Sequence, residues 1–172
     1  MWFQDEARIG QQGTVCRMWA ETGSSPRAIR QTNYKWTYLF GSVCPSTGQC
    51  HGWRMPYANT WIMNLYLKDF AKQLPENVHV LMVMDGAGWH SATGLEIPKN
   101  VSILLLPPYS PELNPVELLW RHLRQRKLSN RLYPTVDDLE AAVDEAWLWM
   151  SNQKNELASM CFFPWIESAL IN

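Results

Sequence analysis

Apolar and polar positions change period several times along the chain, and each change marks an element. Residues 1–5 (Met-Trp-Phe-Gln-Asp) open on an apolar run that reads as a strand closed by Asp5. Residues 14–19 form a second short strand candidate, and Gly23-Ser24-Ser25-Pro26 reads as a turn. Tyr34 to Val43 is rich in aromatic and β-branched residues. Pro45-Ser46-Thr47-Gly48 then turns the chain, and Gln49 to Met55 returns as the second arm of a hairpin.

Beyond Met55 the period lengthens. Asn59 or Thr60 caps a helix whose apolar residues Ile62, Leu65, Tyr66, Phe70 and Leu74 fall near helical spacing. Val78–Met84 lacks polar alternation apart from His79 and predicts a strand buried on both faces. Val101–Leu106, stopped by Pro107-Pro108, predicts another. Asn114-Pro115 supplies a cap and a first-turn proline for a helix to about Leu128. Thr135, with Asp138 three residues on, opens a last helix to Met150. The apolar tail Cys161-Phe162-Phe163-Pro164-Trp165 should dock on the body. The order predicts an α/β fold: a mixed five-stranded sheet, an antiparallel meander of three strands plus two parallel strands, flanked by helices.

Composition narrows the class. The chain has 172 residues, of which 47% are hydrophobic and 18% charged. That is enough for one domain with a core, and it argues against disorder. A net charge of −1 excludes a wholly cationic surface but leaves room for a local basic stripe. The four cysteines form no C-x-x-C pair and read as reduced thiols; Cys44, Cys50 and His51 are poorly spaced as zinc ligands. No signal peptide and no apolar run of about 18 residues is present, so no membrane partner is expected.

Three carboxylates carry the candidate chemistry. Asp5 and Asp85 each follow a predicted strand, where sheet ligands collect, and Glu117 lies in the first turn of a predicted helix. Each has a plainer reading: a turn residue, an Asp-Gly turn, and a capping-box glutamate able to pair with Arg121. Together they are the hard oxygen donors that two Mg²⁺ or Mn²⁺ ions need, converging within about 4–7 Å around ions about 4 Å apart. From Leu118 to Tyr133 the chain carries Arg121, Arg124, Arg126, Lys127 and Arg131 with no acid. Glu117, Arg121 and Arg124 fall on one helical face, which suits a phosphate backbone; Trp120 and Leu123 fall toward the core.

The strings Phe-Gln-Asp-Glu-Ala-Arg (3–8), Val-Met-Asp-Gly-Ala-Gly-Trp-His (83–90) and Pro-Pro-Tyr-Ser-Pro-Glu-Leu-Asn-Pro-Val-Glu-Leu-Leu-Trp (107–120) resemble the three blocks of DDE transposases of the Tc/mariner superfamily, and among these the bacterial insertion-sequence branch. The third block is the most specific and the first the weakest. One departure is Gly86, where the family usually has Asn.

The resemblance implies a ribonuclease-H-like fold and catalytic, metal-holding roles for Asp5, Asp85 and Glu117, with two Mg²⁺ or Mn²⁺ ions. It implies cleavage of DNA at transposon ends by water, then strand transfer into target DNA by the freed 3′-hydroxyl. His90 matches a family histidine and joins Arg121, Arg124 and Lys127 as candidate DNA contacts. A homodimer and a bacterial, cytoplasmic, nucleoid-associated setting also follow. Residues 1–172 read as a single catalytic domain, and the N-terminal helix-turn-helix region of the family is not among them, so a separate DNA-reading segment is an expected partner. Two other readings share the motifs: a nuclease of the same fold without strand transfer, and an inactive relic or domesticated domain that binds DNA or a partner.

Overall fold

The structure, a computed structural model, describes residues 1–25, 27, 31–86 and 94–171. Its sheet has the order β3-β2-β1-β4-β5. Strands β1 (Trp2–Gly10), β2 (Trp36–Cys44) and β3 (Gln49–Met55) form the antiparallel meander; β4 (Val80–Met84) and β5 (Val101–Leu105) add in parallel beyond β1. The mixed five-stranded sheet expected from the chain pattern is therefore present.

Each face of the sheet has its own core. Helix α1 (Thr60–Lys72) covers one face with Ile62, Met63, Tyr66, Leu67 and Phe70, packed on Phe40, Met82 and Met84. Asn59 starts it by accepting from Ile62 N–H at 2.9 Å. The other face carries α2 (Val116–Leu123), α3 (Val136–Ser151), α4 (Lys154–Cys161) and α5 (Pro164–Ile171). Their apolar sides meet Phe3, Ala7, Ile9, Leu39 and Val43. The capping box of α3 is formed: Thr135 Oγ1 accepts from Asp138 N–H, and Asp138 accepts from Thr135 N–H. The tail docks as expected, as two short helices that bury Leu157, Cys161 and Ile166 completely.

Three local expectations give way. First, β1 continues to Gly10, so Asp5 lies mid-strand and not at a strand end. Its pairing with β2 runs over eight residues, from Phe3 to Gly10, well past the apolar run that Asp5 closes. Second, residues 14–19 are not a strand. Cys16 among them bonds instead to Asn130, whose side chain accepts from Cys16 N–H and donates to Cys16 O, both at 3.1 Å. Asn130 itself is left-handed (φ 58°), a conformation asparagine tolerates. Third, β5 is an edge strand with Leu104 and Leu105 exposed, not a strand buried on both faces. The helix predicted to Leu128 does reach it, but its last turn, Arg124–Leu128, widens to a π-helix in which Ser129 N–H reaches back to Arg124 O at 2.7 Å.

Candidate active site

The site begins with an anomaly in strand alternation. Phe3, Ala7 and Ile9 point into the core beneath α2 to α5, and Asp5 occupies the same row. A carboxylate in a core-facing position, 9% exposed, needs a reason. One partner is Trp120, whose indole Nε1–H donates to Asp5 Oδ2 at 2.8 Å. Burial dominates its acidity and lifts the carboxyl from 3.8 to about 7; the Trp120 hydrogen bond opposes the rise, while the nearby charges of Glu117 and Glu6 add to it.

Asp85 comes next to it through the sheet. Trp2 pairs with Met82 and Phe3 with Val83 in the parallel ladder, and the same register carried forward sets Asp5 beside Asp85. Asp85 follows the last residue of β4 and is exposed.

Glu117 arrives from α2. Pro115 already has helical dihedrals (φ −65°, ψ −15°), and Asn114 Oδ1 accepts from Val116 N–H at 3.2 Å, so the Asn-Pro start works as the sequence suggests. The capping-box alternative for Glu117 does not form, because Asn114 N–H donates instead to Pro111 O at 3.0 Å. Buried Asn114 also donates from Nδ2 to Gln4 O at 3.0 Å, which moors the start of α2 to the residue before Asp5.

Asp5, Asp85 and Glu117 line one cleft of about 440 Å³, together with Gly86 and the 106–111 turn. Tyr109 stands on its lip, fully exposed and left-handed (φ 59°). That conformation is costly for a bulky residue and is found where function or packing enforces it. Among the described residues no three His, Cys, Asp or Glu side chains lie close enough together to hold a metal ion. That set includes Cys44, Cys50 and His51, and all four cysteines are free thiols. The donors nevertheless suit hard divalent cations: carboxylates from two adjacent strands and a helix share one cleft, and the Asp5–Glu117 repulsion is what a cation would relieve.

The basic residues divide. Arg121, Arg124 and Arg126 line a groove with Arg17 and the fully exposed Trp19 of the 14–19 segment. Lys127 is turned away, its Nζ 4.5 Å from the centre of the Trp149 ring. His90 lies outside the described residues. Sequence reasoning missed Arg17 and Trp19 as groove residues, because the 14–19 stretch reads as a strand and nothing in it points to α2. It also placed Trp120 in the core without its bond to Asp5. Gly41 and Gly52, inside strands, were available signals of close approach.

Known proteins resemble this chain in sequence and fold. The family model described as DDE superfamily endonuclease matches residues 1–140. A Sinorhizobium fredii protein, "Uncharacterized protein y4pE/y4sA", is 36% identical over 130 residues, covering 76% of this chain and 96% of its own length. The Mos1 transposase paired-end complex with left transposon end superposes with a TM-score of 0.63 at 16% identity, over 92% of this chain and 52% of that one. The Mos1 mariner paired-end complex with Mn gives 0.63 at 16%, over 94% and 56%. The catalytic domain of Mos1 mariner transposase alone gives 0.54 at 15%, over 92% and 77%. This chain thus spans about half the length of the transposase chains in those complexes. It shares their ribonuclease-H-like catalytic fold. Among the described residues no helix is long and apolar enough to cross a membrane. With a family match over residues 1–140, most of its length, the chain belongs to the DDE superfamily endonucleases.

Proposed function

We propose that this chain is the catalytic domain of an insertion-sequence transposase that cleaves DNA at transposon ends and transfers the freed strand into target DNA. The observation that carries the reading is the common cleft of Asp5, Asp85 and Glu117. These three would hold two Mg²⁺ or Mn²⁺ ions, which when bound would supply Lewis acidity for phosphodiester chemistry. Water attacks the end phosphorus, the P–O3′ bond breaks, and a 3′-hydroxyl is released. That hydroxyl then attacks a target phosphorus and displaces a target 3′-oxygen, so one phosphodiester is exchanged for another.

The protein's own task is placement. Burial keeps Asp5 fixed beneath the cleft, Asp85 and Glu117 stand at its open side, and the 106–111 turn walls it. Arg121 and Arg124 lead from Glu117 along α2 into the arginine groove, where a phosphate backbone would run. Pairing of two ends asks for a homodimer, and recognition of their sequence for a separate DNA-reading segment.

A nicking assay on DNA carrying the element's ends, with Mn²⁺, tests the reading against Asp85→Asn. Nicking by the wild type and loss in the variant are expected. Equal nicking by both proteins removes Asp85 from catalysis and sinks the assignment. Nicked ends that never join target DNA would identify a nuclease of the same fold.

A further inference from the structure

The row across the sheet that contains Asp5 has an unusual composition. Asp5 pairs with Gly41 on β2, and Gly41 pairs with Gly52 on β3. The two glycines make a trough in the face beneath α2 and α3, and two tryptophans fill it. A Cβ on Gly41 would stand 2.4 Å from Trp120 Cη2, and one on Gly52 would stand 2.3 Å from the Trp147 ring. The Trp120 and Trp147 rings pack side by side with centroids 6.2 Å apart. Trp120 is thereby sunk to the level of the backbone, 2% exposed, and its single N–H ends at Asp5 Oδ2. Glu117 stands three residues earlier on the same helix.

We propose that Trp120 is a positioning residue for metal binding: seated in the Gly41–Gly52 trough, its indole N–H fixes the orientation of the Asp5 carboxylate so that the remaining lone pairs face the cation cleft. The proposal rests on the reading of Asp5 as a metal ligand. An indole suits this role because it donates one directed hydrogen bond without bringing positive charge. A guanidinium or ammonium there would neutralise the carboxylate and compete with the cation. One helix then does two things, since α2 presents Glu117 at the cleft and locks Asp5 from behind. Groups that orient a metal ligand are worth about 10- to 100-fold in metal affinity.

The plainer role is packing alone, with the indole N–H merely satisfied. Mn²⁺ affinity of the full chain without DNA, measured by calorimetry, separates the two. Trp120→Phe keeps an aromatic ring and removes the N–H; Mn²⁺ binding should weaken by about 10- to 100-fold. Trp147→Phe disturbs the same trough without touching Asp5, and should lower thermal stability while leaving Mn²⁺ affinity unchanged. A folded Trp120→Phe protein that binds Mn²⁺ as tightly as wild type overturns the proposal. Equal weakening in Trp147→Phe overturns it too, because packing would then account for both.

Asp85→Asn tells this failure from that of the underlying site. Wild-type protein that fails to bind Mn²⁺, or binds it undiminished in Asp85→Asn, removes the metal site and this proposal with it. Should Trp120→Phe not fold, the wild-type protein still decides: its Trp120 indole N–H resonance should shift when Mg²⁺ is added. An unmoved resonance overturns the role.

Discussion

Replacing Asp5 by Asn should make the metal-free protein progressively more stable relative to wild type as pH rises. Asp5 is 9% exposed, and its carboxyl is lifted from 3.8 to about 7, first by burial and then by the charges of Glu117 and Glu6. An acid whose folded value is raised keeps its proton in the fold after the unfolded chain has released it. Stability therefore falls as pH climbs through the interval between about 4 and 7, and the full cost persists above it. At about 1.4 kcal/mol per unit the whole shift amounts to about 4 kcal/mol, of which about 3 kcal/mol develops between pH 5 and pH 8. Asn can still accept the Trp120 hydrogen bond through Oδ1, but its amide hydrogens need acceptors in a buried place. That cost of about 1–3 kcal/mol does not titrate, so it offsets the two curves without changing their divergence. Urea unfolding of both proteins in EDTA, at intervals from pH 5 to pH 8, measures the difference. The variant should gain about 3 kcal/mol on wild type across that range. A difference that stays flat would refute the claim that Asp5 is held as a strained, buried anion.

His51 gives the opposite slope: burial lowers its pKa, against the pull of Asp69, so stability is present above 6.5 and is lost as pH falls below it. His51→Gln should flatten the acid limb of a stability–pH curve measured by thermal unfolding. Gly52→Ala forces a methyl into the Trp147 ring and should cost about 1–3 kcal/mol, independent of pH, in the same unfolding assay. If Arg121 and Arg124 track a phosphate backbone, the Arg121→Ala/Arg124→Ala pair should weaken DNA binding regardless of sequence. It should also reduce the slope of log affinity against log salt by about 2, as read by fluorescence anisotropy. An unchanged slope would place the DNA elsewhere.

What could be read from the chain was local and periodic. The starts of α1, α2 and α3 are written in Asn59, Asn114-Pro115 and Thr135–Asp138, and all three side chains cap as their chemistry suggests. The parallel strand β4 announces itself as an apolar run, and Asp85 follows it directly. Errors arose where a long-range partner decides. Nothing within residues 14–19 reveals that Asn130 will take both backbone hydrogen bonds of Cys16, so β-favouring residues there looked like a strand. Leu104 and Leu105 suggest a buried strand only until the sheet order puts β5 at the edge.

Asp5 shows the limit most sharply. Ending β1 there made the aspartate an ordinary strand-end residue, whereas continuing the alternation through Ala7 and Ile9 exposes it as a charge in a core position. The clue that the fold tolerates that charge was distributed over three other places: a glycine in β2, its partner glycine in β3, and a tryptophan in α2. None specifies the role alone: a strand glycine signals a close approach without saying of what, and a buried tryptophan does not say where its N–H ends. Their meaning comes from register, which aligns Asp5, Gly41 and Gly52 in one row and leaves the indole a single place to put its N–H. The charges of Glu117 and Glu6 that help raise the Asp5 carboxyl are the part of that cost a bound cation would offset, whereas the part due to burial stays with the fold.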